Sequence, residues 1–225
     1  MRRTSRIAAL LIGLSAGPAA ATEIPPPGYT FSPAEPCLED PVAAQKPRRP
    51  GDAVYAVCAD QMALLAEALR TARMTGKLVL VTFGATWCPW CAALQRAMPS
   101  AELLGSADSP TELGRRFHYI DIGLSMVYKG KRADIPSGKA ALAHLLGFAP
   151  KTQIRAIPFL AIVNPQAPER VYARNLDDVT WPDHSLDFER LRELLREGEA
   201  YVQGKGARRE EPGWLARKWA RWWGR

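Results

Sequence analysis

The sequence predicts an α/β domain with a β-sheet flanked by helices, and three observations carry that expectation. Residues 78–83, Leu-Val-Leu-Val-Thr-Phe, form an apolar run between Lys77 and Gly84 and read as a buried strand. That strand passes through Gly84-Ala85-Thr86-Trp87-Cys88-Pro89-Trp90-Cys91 straight into Ala92, Ala93, Leu94, Gln95, Arg96, Ala97 and Met98, which are mostly good helix formers. Segments of strand and helix character then follow one another to about residue 204. The length, 225 residues, suits one domain with extensions better than two full domains.

The start of the chain is basic at Arg2, Arg3 and Arg6 and then apolar over 7–17, a run too short to span a bilayer. With Ala19-Ala20-Ala21 next, residues 1–21 read as a secretory signal peptide, so the expected location is the periplasm, after export across the inner membrane. Residues 22–51 are rich in proline and lack periodicity, and are expected to form an irregular arm carrying Cys37. The folded domain is expected over 52–204. Cys58 opens a helix over 59–75, where Met62, Leu65, Ala66, Leu69 and Ala72 recur at helical spacing and Gly76 supplies the stop.

After Cys91 the helix is expected to run to about Leu104, bent or cut short at Pro99. Residues 105–111 read as a loop and 117–122 as the next strand. Residues 126–136, basic and glycine-containing, read as a loop, and 137–146 as a helix closed by Gly147. Residues 159–163 and 171–174 read as strands joined by a turn at 164–168. A last amphipathic helix over 185–202 offers Leu186, Phe188, Leu191, Leu194, Leu195 and Val202 to the core.

The formal charge of +7 is unevenly placed. The leader holds three arginines, and residues 205–225 hold seven basic side chains against Glu210 and Glu211, which leaves the body at −1. No nucleic-acid surface is therefore implied for the domain. In the tail, Leu215, Trp219, Trp222 and Trp223 fall on one helical face among Arg217, Lys218, Arg221 and Arg225. That pattern suits peripheral contact with an anionic membrane surface.

Chemistry concentrates at Cys88 and Cys91. The first turn of a helix carries unpaired N–H groups and a partial positive charge, which favours a thiolate on Cys88. Two intervening residues let Cys91 reach back and resolve a mixed disulfide, and Pro89 suits the first helical position because it has no N–H to leave unpaired. In an oxidising compartment Cys37 and Cys58 are expected to form a structural disulfide pinning the arm to the following helix. A second redox pair that relays electrons is the rival. Zinc would need two more ligands beside Cys88 and Cys91, and His118, His144 and His184 have no ligand spacing, so neither metal nor cofactor is expected.

Buried strand, Trp87-Cys88-x-x-Cys91, helix, and far downstream Ile157-Pro158 before the strand 159–163: this arrangement resembles the thioredoxin family. The resemblance covers roughly 52–204 and implies a thioredoxin fold, a central mixed β-sheet flanked by helices, with an insertion before the proline. It also implies that Pro158 is a cis-proline lying against the cysteine pair. Cys88 would attack, Cys91 resolve and Trp87 shield them. Pro89, Trp90 and Ile157 would meet the substrate, with the Ile157 backbone pairing an extended segment of it. Protein thiols and disulfides would be the substrates and a membrane protein the electron donor. One departure stands out: the family places a buried aspartate six residues before the first cysteine to assist the resolving thiol, and here that position is Thr82. The lack of a histidine between the cysteines and the isoleucine before the proline lean towards reduction or isomerase support rather than oxidation. Two alternatives are a thiol pair that holds copper(I) for delivery and a catalytically idle adaptor.

Overall fold

The computed structural model describes residues 24–46, 51–149 and 152–206. Residues 1–23 and 207–225, which include the expected signal peptide and most of the expected basic tail, lie outside the described residues. Seven helices and five strands occur within them: α1 (Glu35–Glu39), α2 (Pro41–Gln45), α3 (Gln61–Thr75), β1 (Leu78–Ala85), α4 (Pro89–Ala97), α5 (Glu112–Arg116), β2 (Phe117–Tyr128), β3 (Lys131–Asp134), α6 (Pro136–Gly147), β4 (Phe159–Asn164), β5 (Ala167–Asn175) and α7 (Phe188–Val202). The strands form one mixed sheet in the order β3-β2-β1-β4-β5, with β1 and β2 parallel and the other neighbours antiparallel. This is an α/β, thioredoxin-like arrangement, a mixed sheet between helices.

Strand β1 lies at the centre and every residue of it is buried, which its apolar, β-branched composition requires. Its side chains alternate between two cores. Val79, Val81 and Phe83 face α3 and α6, among Leu65, Leu69, Leu142 and Leu145. Leu78 and Leu80 face the other way, among Leu94 and Met98 from the α4 side and Leu191, Leu194 and Leu195 of α7. Truncating a fully buried leucine such as Leu65 or Leu194 to alanine would cost about 2–5 kcal/mol. Helix α3 starts where Asp60 caps the Met62 and Ala63 N–H groups and stops at Gly76, whose φ of 69° suits a residue without Cβ.

The structure corrects the sequence reading at three elements. The arm is not irregular throughout: Asp40 accepts hydrogen bonds from the Val42 and Ala43 N–H groups, and Pro41 opens α2, a position proline favours. Helix α4 ends at Ala97, two residues before Pro99, rather than near Leu104. The basic loop expected over 126–136 is instead the end of β2 and all of β3, a hairpin whose turn residues Lys129 and Gly130 both have positive φ, 46° and 77°. Both central residues of a two-residue hairpin turn take that conformation.

Candidate active site

The turn between β1 and α4 delivers both cysteines to one helix N-terminus. Cys88 is the N-cap of α4, with extended backbone, and its sulfur accepts a hydrogen bond from the Cys91 N–H at 3.2 Å. Pro89 follows at the first helical position, exposed, so no backbone donor is lost there. Cys88 and Cys91 are joined as a disulfide with Cα atoms 5.2 Å apart, and are 3% and 1% exposed. On the far side, the Ile157–Pro158 peptide bond is cis, and the Ile157 carbonyl oxygen lies 3.7 Å from Cys88 Sγ. Pro158, the residue after Ile157, is buried at the mouth of β4, 70 residues beyond Cys88 in the chain.

Two tryptophans flank the pair in different ways. The Trp87 indole N–H donates to Ser125 Oγ at 3.0 Å, and the Arg132 guanidinium lies 3.8 Å above its ring. Trp90 donates to the Trp181 carbonyl at 2.9 Å and meets the His184 ring edge-on at 4.6 Å. Trp90 is thereby tied to the segment between β5 and α7. That segment is held in turn by Arg174, buried on β5, which donates to Asp178 at 2.7 Å.

Cys37, in α1, and Cys58, in the turn before α3, form the other disulfide, with Cα atoms 5.5 Å apart. Both disulfides border one apolar cluster that includes Tyr55, Ala85, Met126 and Ile135. His118 lies on β2 and His144 in α6, while His184, in the segment between β5 and α7, meets Trp90. Among the described residues, no three His, Cys, Asp or Glu side chains are grouped so as to hold a metal ion.

Beneath the cysteine pair lies a polar layer that the sequence alone does not assemble. Thr82 on β1 pairs in register with Asp121 on β2. The Thr82 and Tyr119 hydroxyls both donate to Asp121 Oδ1, the latter at 2.6 Å, while the Gln95 amide of α4 exchanges hydrogen bonds with the Val54 backbone. Desolvation raises the Asp121 pKa above the ordinary carboxylate range, against the opposing pull of those hydrogen bonds. Tyr55 is buried beside it, and desolvation first, then the Asp121 charge, push its phenol far above its ordinary value. The available sequence signal for this layer was an acid placed inside the apolar strand 117–122. Tyr55 had no signal, because an irregular segment brings it in.

No family model matches the chain, and no curated protein matches it. Among solved structures, the crystal structure of a disulphide isomerase from Xylella fastidiosa Temecula1 is similar over 53% of this chain and 76% of that one, with 22% identity and a TM-score of 0.37.

Proposed function

We propose that this chain is a thiol–disulfide oxidoreductase acting on protein substrates, with Cys88 as the attacking and Cys91 as the resolving cysteine. The observation that carries the reading is Cys88 at the N-cap of α4, its sulfur within hydrogen-bond reach of a backbone N–H and facing the cis Ile157–Pro158 bond. A thiolate there is favoured by the helix dipole and by that N–H. It attacks a partner disulfide, and Cys91 then displaces the partner thiolate. Trp87, Pro89, Trp90 and Ile157 surround the pair and would form the surface that a substrate meets.

The finer reading is a periplasmic enzyme supporting reduction or isomerisation, recharged by a membrane electron donor and held near the membrane surface by its tail. Its support is the apolar run over 7–17, the Trp-Arg pattern after 214, Ile157 before the proline, and the lack of a histidine between the cysteines. Equilibration of the Cys88–Cys91 pair against glutathione tests the direction. A potential near about −270 mV is expected for a reductase, and one near about −120 mV would make it an oxidase.

A further inference from the structure

Cys91 is 1% exposed and lies among Tyr55, Ala85 and Met126. A thiol so enclosed holds its proton more tightly than one in water, yet it must lose that proton to resolve a mixed disulfide. The face of the sheet below α4 shows where the proton can go. Alternation along the strands places Thr82 and Gly84 of β1, and Tyr119, Asp121 and Gly123 of β2, on that face, with Thr82 opposite Asp121 and Gly84 opposite Gly123. Helix α4 sets Cys91 over Gly84.

Asp121 therefore stands one pleat repeat, about 6.6 Å, from the level of the Cys91 sulfur. That is too far for a direct hydrogen bond and close enough for one intervening hydroxyl. Tyr55 supplies it. A Cβ at Gly123 would fall 3.1 Å from Tyr55 Cβ, and a Cβ at Gly84 would collide with Tyr55 Oη and fall 2.7 Å from Cys91 Sγ. The ring thus lies across both glycines, and its hydroxyl converges with the sulfur on one point. The two groups that hydrogen-bond Asp121, Thr82 and Tyr119, are neutral, and among the described residues no cation pairs with its carboxylate.

We propose that Tyr55 and Asp121 form the proton route of Cys91, a proposal that rests on the thiol–disulfide exchange reading. As Cys91 Sγ attacks Cys88 Sγ of the mixed disulfide, the Cys88–Cys91 bond forms and the bond from Cys88 to the partner breaks. The electron pair leaves on the partner sulfur. The Cys91 proton passes to the Tyr55 oxygen while the Tyr55 proton passes to the Asp121 carboxylate. In the reverse direction Asp121 returns the proton to Cys91 through Tyr55.

The test is single-turnover oxidation of the reduced mature protein by oxidised glutathione, with acid quenching and mass spectrometry of the glutathionylated intermediate between pH 5 and 10. In Asp121→Asn and Tyr55→Phe the intermediate should accumulate, its resolution slowing about a hundredfold at neutral pH and its pH profile moving upward. Alkylation of Cys88 by iodoacetamide should keep its wild-type pH profile, which a general loss of structure would not allow. Asp121→Glu should recover most of the rate, and it stands in if the asparagine variant does not fold. Resolution with the wild-type rate and profile in either Tyr55→Phe or Asp121→Asn would overturn the proposal. A wild-type protein that never forms the intermediate would instead overturn the exchange reading beneath it.

Discussion

Cys37 and Cys58 are 21 residues apart and tie α1 to the turn before α3, whereas Cys88 and Cys91 are three apart and share one helix N-terminus. The first bridge closes a long loop and so restricts the unfolded chain, by about 3 kcal/mol in the loop-entropy account. The second closes so short a loop that it restricts almost nothing. Its surroundings differ as well. Around it stand a helix N-terminus, the Ile157 carbonyl, a half-buried acid and a buried phenol, which on the proposed reading act on thiol ionisation. On the proposed reading, loop length and electrostatic setting separate a bridge that holds the fold from one set up to exchange.

Four substitutions would break or sharpen that contrast. Cys88→Ser should lower exchange with a protein disulfide by roughly a thousandfold or more, measured as insulin reduction coupled to a thiol reductant, since no other sulfur occupies the helix N-cap. The double variant Cys37→Ser, Cys58→Ser should lose about 3 kcal/mol by urea unfolding while its exchange rate below the midpoint stays within about threefold, the uncertainty that context puts on single contributions. A collapse of exchange in that variant would make the first bridge a relay.

Gly84→Ala should destabilise by about 1–3 kcal/mol, because the new methyl meets Tyr55 Oη and Cys91 Sγ in a packed interior. The smallest effect separates the regions by pH. The Asp121 pKa is raised by desolvation, so its contribution is fully present below the ordinary carboxylate range and is lost as pH rises through the raised value. Asp121→Asn should therefore be more stable than the parent at neutral pH, with the difference closing towards acid, in unfolding curves taken from pH 4 to 8. The deficit of the double serine variant should stay constant over the same window, since a disulfide does not titrate.

Much of this molecule is legible in the sequence where one residue pattern decides one element. Residues 78–83 could only be a buried strand, and Trp87-Cys88-Pro89-Trp90-Cys91 could only open a helix if Pro89 was to keep a place. The β2–β3 hairpin is harder to see because Lys131, Arg132 and Asp134 lie on an exposed sheet edge, where charge is common, and so imitate a loop. The dipeptide Lys129-Gly130 was the available signal. Proline misleads in the arm, where Pro36 and Pro41 sit at helix starts rather than breaking helices. The Thr82 departure is legible, but its counterpart is not. Asp121 becomes meaningful only through the parallel register that sets it beside Thr82, a pairing across 39 residues that no local pattern encodes.

The two glycines under Tyr55 have an evolutionary consequence. Gly84 and Gly123 leave room for one ring, and Gly138 is held in turn because a Cβ there would run into the Gly123 carbonyl oxygen. A side chain at 84 or 123 crowds the tyrosine, and losing the tyrosine leaves a gap above the sheet. Positions 55, 84 and 123 are thus bound to vary together. In a lineage descended from this protein, replacement of Tyr55 by a small residue should be accompanied by a larger residue at 84 or 123.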